Sequence, residues 1–210
     1  MASLRVLKLW ATYLDVRTMT LISKAAPTIE EMLLWYDDVH ENVKLEAILV
    51  AHITTPKLQY LALDVDEMDT DDLPQFFHAV APTVTSLVLE GTALADDLHH
   101  LQALYNVESL SFLSDVDDNF FVALAETSPV VWPKLTKVAI GSTGRIIPPT
   151  NDGIVQLVQA RRAVDTLDNA IEAPRQIVEV DLRCKDVPNW IHATIDHLLA
   201  SPGPDSATTM

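Results

Sequence analysis

Thr55-Pro56-Lys57-Leu58-Gln59-Tyr60-Leu61-Ala62-Leu63 and Trp132-Pro133-Lys134-Leu135-Thr136-Lys137-Val138-Ala139-Ile140 repeat one arrangement of residues. In both stretches, the apolar residue two positions after the proline is followed by apolar residues three and five positions further on. The last two apolar residues share one face of a β-strand, and the residue between them faces the other way. Because proline ends a helix and favours extended backbone before it, each stretch predicts the change from a helix to a strand.

The same apolar spacing occurs seven times along the chain. Successive copies begin 25, 29, 26, 23, 28 and 42 residues apart, and such a near-constant period indicates a repeated structural unit. The apolar triplets are Leu4, Leu7, Leu9; Ile29, Met32, Leu34; Leu58, Leu61, Leu63; Val84, Leu87, Leu89; Val107, Leu110, Phe112; Leu135, Val138, Ile140; and Ile177, Val180, Leu182.

Helical spacing of apolar residues fills several of the intervals between these strands. An acidic or Asn residue comes shortly before each helical stretch, and such side chains cap the free amides at a helix start. Much of the acidity of the chain therefore has a predicted structural role. The predicted helices cover 73–80, 98–104, 120–125, 154–160 and 191–199, and the predicted caps lie at 71–72, 96–97, 117–119, 151–152 and at Asp186 with Asn189.

The alternation of strand and helix predicts an α/β solenoid of about seven irregular repeats, with parallel strands on the concave side and helices on the convex side. An open α/β sheet with a rearranged strand order is the alternative. We expect one domain over residues 1–200 and a disordered tail over 201–210, where small and polar residues dominate. Residues 37–55 and 163–176 fit the repeating unit poorly.

Composition limits the classes of partner. Hydrophobic residues make up 49% of the 210 residues, and the formal net charge is −16 at pH 7. This charge opposes binding to nucleic acid or to an anionic membrane, and no apolar run approaches the length of a membrane span.

The N-terminus lacks the pattern of a secretory signal, and the single Cys184 cannot form an intramolecular disulfide. We expect an intracellular protein, cytoplasmic or nuclear, that binds another protein and keeps Cys184 as a small core residue.

One stretch resembles a calcium-binding loop. Asp115, Asp117, Asn119 and Glu126 occupy its positions one, three, five and twelve, but the sixth position, which requires glycine, is Phe120. The preferred interpretation is a loop and a helix cap, with Phe120 and the next residue, also Phe, in the core.

Two other stretches are weak candidates for chemistry. Adjacent histidines, His99 and His100 after Asp96 and Asp97, point about 100° apart on a helix, so we interpret them as a solvated helix start. Residues 141–145 lack the lysine and the spacing of a phosphate-binding loop, so we expect a flexible interstrand loop.

The pattern thus predicts a non-catalytic protein without a metal or cofactor site. The enzyme alternative would collect residues 64–72 and 115–118 around a deep pocket at the strand ends.

The strand register assigns candidate partner-binding residues to the face of the sheet that points away from the core. In the first three units these are Lys8, Trp10, Glu31, Trp35, Tyr60 and Asp64. We expect the three aromatic residues to form one row, because rigid aromatic side chains dominate protein interfaces. The alternative is that these aromatic residues fold over the sheet edge or pack against a further N-terminal unit.

These units resemble the leucine-rich-repeat region of fungal, mushroom-type F-box proteins. The resemblance rests on the two opening stretches and on Leu157-Val158-Gln159-Ala160-Arg161-Arg162, and it covers about residues 1–200. It implies target recognition for a cullin-type ubiquitin ligase, in which an F-box binds the Skp-type adaptor. Because the first residues already form a strand, we expect either a fragment of a longer protein or a stand-alone repeat protein. An adaptor would bind only through an F-box outside this chain, and a fragment without independent function is a further alternative.

Overall fold

The computed structural model describes residues 4–11, 16–36, 55–66, 73–147, 152–163, 174–184 and 186–201. Within these ranges the chain is a mixed α/β structure with nine strands and six α-helices. The strands are β1 Val6–Ala11, β2 Glu31–Tyr36, β3 Tyr60–Asp64, β4 Ser86–Glu90, β5 Ser109–Phe112, β6 Val116–Asp117, β7 Lys137–Ile140, β8 Ile146–Ile147 and β9 Glu179–Leu182. The helices are α1 Val16–Ala25, α2 Leu73–Val80, α3 Leu98–Leu101, α4 Asp118–Glu126, α5 Gly153–Ala163 and α6 Asn189–Ala200.

Seven strands form one parallel sheet in the order β1-β2-β3-β4-β5-β7-β9. Every segment predicted as a strand belongs to this sheet, and spatial neighbours follow chain order. The alternative with a rearranged strand order is therefore wrong for the described strands. A second sheet pairs β6 with β8, also in parallel, and was not predicted because two-residue strands carry no periodicity.

The sheet is paired so that the apolar positions of neighbouring repeats align. Leu61 lies opposite Met32 on one side and Leu87 on the other, and the same alignment continues along the sheet. The apolar triplets of the five middle strands are buried in one continuous cluster. Burial weakens at both ends, where Leu4 is 42% exposed and Leu182 is only partly buried.

One backbone hydrogen-bond pattern recurs at every junction of this sheet. The amides of Glu30 and Glu31 both donate to the carbonyl of Arg5, at 2.8 and 3.0 Å. The corresponding pair of amides in each later strand donates to the equivalent carbonyl of the strand before it. These acceptors are the carbonyl oxygens of Arg5, Glu30, Gln59, Thr85, Glu108 and Thr136. The junctions therefore repeat in backbone geometry as well as in sequence.

The helices lie on one side of the sheet, because their apolar residues join the same buried cluster as the strand triplets. All five predicted helices are present, with ends that differ by a few residues. Helix α1 was not predicted. Asp117 caps α4 as expected and accepts a hydrogen bond from the amide of Asn119. The cap predicted at Asp186 and Asn189 is wrong, since α6 begins after Pro188 without a side-chain cap.

Aromatic side chains fill the centre of the core. Phe112 of β5 contacts Phe120 and Phe121 of α4 edge to face, with ring centroids 5.4 and 5.5 Å apart. Trp132 lies beside Phe120 at 6.4 Å, and its indole nitrogen donates to the carbonyl of Leu101. This cluster confirms the prediction that both phenylalanines after Asn119 reach the core.

Residues 37–54 and 164–173, which make up most of the poorly fitting segments, and the tail beyond 201 lie outside the described residues. Among the described helices, none combines the length and the apolar character that crossing a membrane requires.

Candidate functional site

The face of the sheet opposite the helices carries three rows of residues, one at each alternate position along the strands. The first row is Val6, Glu31, Tyr60, Ser86, Ser109, Lys137 and Glu179. The middle row is Lys8, Leu33, Ala62, Val88, Ser111, Ala139 and Asp181. The last row begins with Trp10, Trp35, Asp64 and Glu90. These rows are called the sheet face below.

The six predicted binding residues all occupy positions of the sheet face. The side chains of Lys8 and Glu31 are exposed, and those of Tyr60 and Asp64 are half-buried. Burial, followed by the charge of Glu31, raises the pKa of the Tyr60 hydroxyl. The backbones of Trp10 and Trp35 are paired directly, so these two positions are neighbours, while their side chains lie outside the described set.

The prediction of one continuous aromatic row is wrong. Tyr60 pairs with Glu31 and therefore belongs to the first row, whereas Trp35 belongs to the last. Along each strand, the first and last rows are four positions apart, which corresponds to about 13 Å. The neighbour of Trp35 in β3 is Asp64, because Leu34 pairs with Leu63 in the same register. The observed register agrees with the motif count, in which Trp10 and Trp35 are seventh in their units and Tyr60 is third, so the error lay in treating these different positions as one row.

The middle of the sheet face is made of small residues. Ala62 and Val88 are buried there although both lie outside the main core cluster, and Ser111 and Ala139 continue the same row. Larger charged residues stand at the β9 end of the face. Lys137 pairs with Glu179 at 2.7 Å, and Arg183, one residue beyond β9, pairs with Asp181 at 2.6 Å.

At the carboxyl ends of β3 and β4, carboxylates take part in the turns that follow the strands. Asp64 accepts a hydrogen bond from the amide of Asp66 at 3.2 Å, and Asp66 accepts one from the amide of Thr92 at 2.7 Å. Gly91 has a φ of +81° and allows β4 to turn tightly against these two acids. Burial is the largest influence that raises the pKa of Asp64, and the charges of Asp66 and Glu90 add to it.

The acids of the calcium-like stretch have structural partners. Asp115 forms an ion pair with Arg145 at 2.7 Å, which lowers the pKa of the Asp115 carboxyl. Asp117 caps α4, as predicted. Asp118 is buried, and both of its oxygens accept from the amide of Gly153, at 3.1 and 3.0 Å. Among the described residues, no group of three or more His, Cys, Asp or Glu side chains could hold a metal ion.

The acids named for an enzyme site at the strand ends are therefore engaged by backbone amides or by Arg145, as far as the described residues extend. The part of that proposed site at 67–72 lies outside them.

The remaining candidates have local structural roles. His99 is exposed, His100 is half-buried, and both belong to the short helix α3. Asp97, expected to cap that helix, instead accepts a hydrogen bond from the upstream amide of Leu94 at 2.7 Å. Cys184 is buried, as predicted, and burial raises the pKa of its thiol.

Residues 141–145 form the predicted loop between two strands. The hydroxyl of Thr143 donates to the carbonyl of Leu113 at 2.5 Å, and Arg145 pairs with Asp115. Buried Gly144 lies against the backbone of Ser114, where an added Cβ would be 2.4 Å from the carbonyl oxygen. These contacts tie the loop to the turn that follows β5.

The sequence alone did not reveal Arg161 as a buried residue. The side chain is 2% exposed, and its Nη2 donates to the carbonyl of Val131 at 2.6 Å. Its Nη1 has no hydrogen-bond partner within the described part of the chain, and burial lowers the pKa of the guanidinium to about 10. Two consecutive arginines at 161–162 are typical of an exposed helix end. Only the packing in the folded structure therefore shows that Arg161 is buried.

In comparisons with known proteins, no family model, curated protein or solved structure matched this chain.

Proposed function

We propose that the chain is a leucine-rich-repeat-like solenoid that acts as a non-catalytic protein-interaction scaffold. Three observations support the repeat architecture: the near-constant sequence period, the chain-order sheet, and the backbone hydrogen-bond pattern that recurs at six junctions. In such an architecture each unit contacts mainly its neighbours and leaves one extended sheet surface for binding.

The observation that carries the proposal is the unequal burial of the two sides of the sheet. The apolar triplets of the five middle strands are almost completely buried on the helix side, whereas the opposite side of the sheet retains exposed or half-buried Lys8, Glu31, Tyr60, Ser109 and Lys137. Buried small residues such as Ala62 and Val88 make the centre of that side smooth. A rigid surface with a smooth centre and a polar rim is suited to a protein partner.

We further propose that this surface recognises targets in the manner of the repeat region of F-box proteins. The support is the resemblance of the strand units and of the stretch at 157–162. Adaptor binding is assigned to no residue of this chain. The ligase role depends on an F-box supplied by another segment or by another protein.

The binding role is tested by placing two arginines at the centre of the sheet face. Ser109→Arg with Ser111→Arg should remove the proteins that the tagged wild-type chain captures from its own cells, as read by mass spectrometry. The control is Gln75→Arg with Gln159→Arg, which adds the same charge at exposed helix positions. The control should capture the wild-type set of proteins. If the sheet-face variant also captures that set while folded, the sheet face is not the binding surface and the proposal fails.

A further inference from the structure

We propose that the first and last units of the chain are the two halves of one interface, through which β9 of one copy pairs with β1 of a second copy and continues the parallel sheet. The partner is therefore a second copy of this chain, joined head to tail. This inference goes beyond the proposed function, because it concerns the two edges of the sheet and assigns a partner to them.

The two edges of the sheet carry complementary backbone groups. At each of the six internal junctions, two consecutive amides of the later strand donate to one carbonyl of the earlier strand. By the same geometry, the amides of Arg5 and Val6 would donate to a strand placed before β1, and the carbonyl of Val178 would accept from a strand placed after β9. Within the described part of the chain, neither the amide of Arg5 nor the carbonyl of Val178 has a backbone partner. One edge therefore offers the acceptor that the other edge lacks.

Exposed apolar side chains in the stacked elements occur at the same two ends. Among the described residues of the seven-stranded sheet and the six helices, the exposed large apolar side chains are Val6, Leu21 and Trp190. They belong to β1, α1 and α6, so all three lie in the first or the last unit. Just before β9, Val178 is 63% exposed. Solenoids commonly end in polar capping surfaces, and these ends instead present apolar surface that association would cover.

Two positions distinguish the end units from the internal ones in sequence. The residues whose carbonyls accept at the six internal junctions all have polar side chains, and they are Arg5, Glu30, Gln59, Thr85, Glu108 and Thr136. The equivalent residue of the last unit is Val178. In the first row of the sheet face, Val6 of the first unit is the aliphatic exception. An apolar residue thus replaces a polar one at each edge.

The internal register, continued from one copy to the next, aligns compatible side chains. It places Val180 of β9 opposite Leu7 of the second copy, which extends the apolar core over a residue that is only partly buried in one copy. On the sheet face, it places Asp181 opposite Lys8 of the second copy. Opposite charges on facing positions of neighbouring strands stabilise their pairing.

This arrangement favours an open series of copies over a closed dimer. Each copy presents a different edge to each of its two neighbours, so the interface is heterologous and one edge of each kind stays available at the ends of the series. The formal net charge of −16 opposes association through general repulsion. Association should therefore strengthen as salt rises from about 10 mM to about 150 mM, where the screening length falls to about 8 Å.

Sedimentation equilibrium tests the proposal at chain concentrations from about 5 to 500 µM and about 150 mM salt. The weight-average mass of wild type should rise with concentration and pass that of a dimer, because the interface does not close on itself.

Two variants block one edge each. Val6→Pro removes an amide that points away from β2, and edge strands tolerate proline at such positions. Val178→Arg with Asp181→Arg places like charges against Arg5 and Lys8 of the second copy. Each edge variant alone should associate at least about tenfold more weakly than wild type. An equimolar mixture of the two should form one-to-one pairs, because each variant supplies the edge that the other lacks.

The matched control is Ile147→Arg with Glu126→Arg, which makes the same change of charge at exposed positions away from both edges. It should change the association constant by less than about twofold. Circular dichroism checks that every variant is folded. If Val6→Pro unfolds, Val6→Asp with Lys8→Asp replaces it, because this variant places acids opposite Glu179 and Asp181.

Four results would overturn the inference. They are a wild-type chain that stays monomeric at the highest concentration, an edge variant that associates as strongly as wild type, equal weakening by the control, and a mixture of the edge variants that does not pair. A wild type that stops at a dimer would indicate a symmetric contact and would overturn the head-to-tail arrangement as well.

Discussion

At the scale of single residues, Asp118 shows how a buried carboxyl group is accommodated by a backbone amide. Its carboxylate belongs to α4 but accepts the first amide of α5, that of Gly153, with both oxygens. Gly153 cannot carry a side chain here, because an added Cβ would lie 2.4 Å from the backbone oxygen of Asp118. The contact between Asp118 and Gly153 therefore holds the start of α5 against the start of α4.

Removing this acceptor should destabilise the fold. Asp118→Ala leaves the buried amide of Gly153 without a partner, and we expect a loss of about 1 to 3 kcal/mol in the free energy of unfolding. Asp118→Asn keeps an acceptor of the same shape and should lose less at pH 7. Urea unfolding of both variants measures the difference, and equal losses would contradict this role for the carboxylate.

Wild type and Asp118→Asn should also differ in how their free energy of unfolding changes with pH. Burial, the largest influence, raises the pKa of Asp118 in the folded state above its ordinary value of 3.8. The folded protein therefore binds the proton more tightly than the unfolded chain, so this group adds stability as pH falls through its folded pKa towards 3.8. Wild type should gain stability relative to Asp118→Asn over that interval.

At the scale of elements, the two glycines that directly follow β4 and β7 differ in their surroundings. Gly91 adopts a φ of +81°, and an added Cβ would be 2.8 Å from Asp64 and 2.9 Å from the backbone of Asp66. Gly141 has ordinary backbone angles, and its nearest atom, the carbonyl oxygen of Phe112, would be 3.3 Å away. The turn after β4 therefore requires glycine, whereas the turn after β7 has more room for a small side chain.

Alanine substitution separates these two turns. Gly91→Ala should lower the free energy of unfolding by about 1 to 3 kcal/mol, because it combines left-handed backbone with a clash against backbone atoms. Gly141→Ala serves as the matched control and should lose less than about 1 kcal/mol. Thermal or urea unfolding gives both values. A reversed order would mean that the turn after β4 is not constrained as described.

At the scale of the whole molecule, the core is continuous along the sheet but uneven in depth. In the middle strands residues such as Leu87 have no exposed surface, whereas Val180 and Leu182 of β9 are only partly buried. β9 also pairs with a single neighbouring strand in the described sheet. The stability of the end unit should therefore be lower than that of the middle.

The same substitution at two depths tests this gradient. Leu87→Ala should cost about 2 to 5 kcal/mol, as expected for a fully buried leucine, and Leu182→Ala about 1 to 2 kcal/mol. Hydrogen exchange should show that Leu182→Ala loosens mainly β9 and α6, while Leu87→Ala raises exchange throughout. Uniform loosening by both variants would indicate a single cooperative unit without a weaker end.

The sequence alone predicted the seven strands and five of the six described helices, and it favoured the chain-order arrangement that the structure then showed. Apolar spacing shows which face of an element is buried, and proline and acidic residues mark where elements change. Helix α1 and the short strands β6 and β8 were missed. The segment of α1 was not identified as helical in the sequence. Strands β6 and β8 have two residues each, which is too short for any periodicity to appear.

Only the tertiary structure decided which residues meet across strands and helices. Asp118 proved to accept the amide at the start of a helix 35 residues away. Arg161 proved to be buried at a helix end that has an ordinary exposed pattern. The physical reason is that periodicity fixes how a residue is oriented within its own element, whereas register and packing depend on contacts between elements that are distant in sequence.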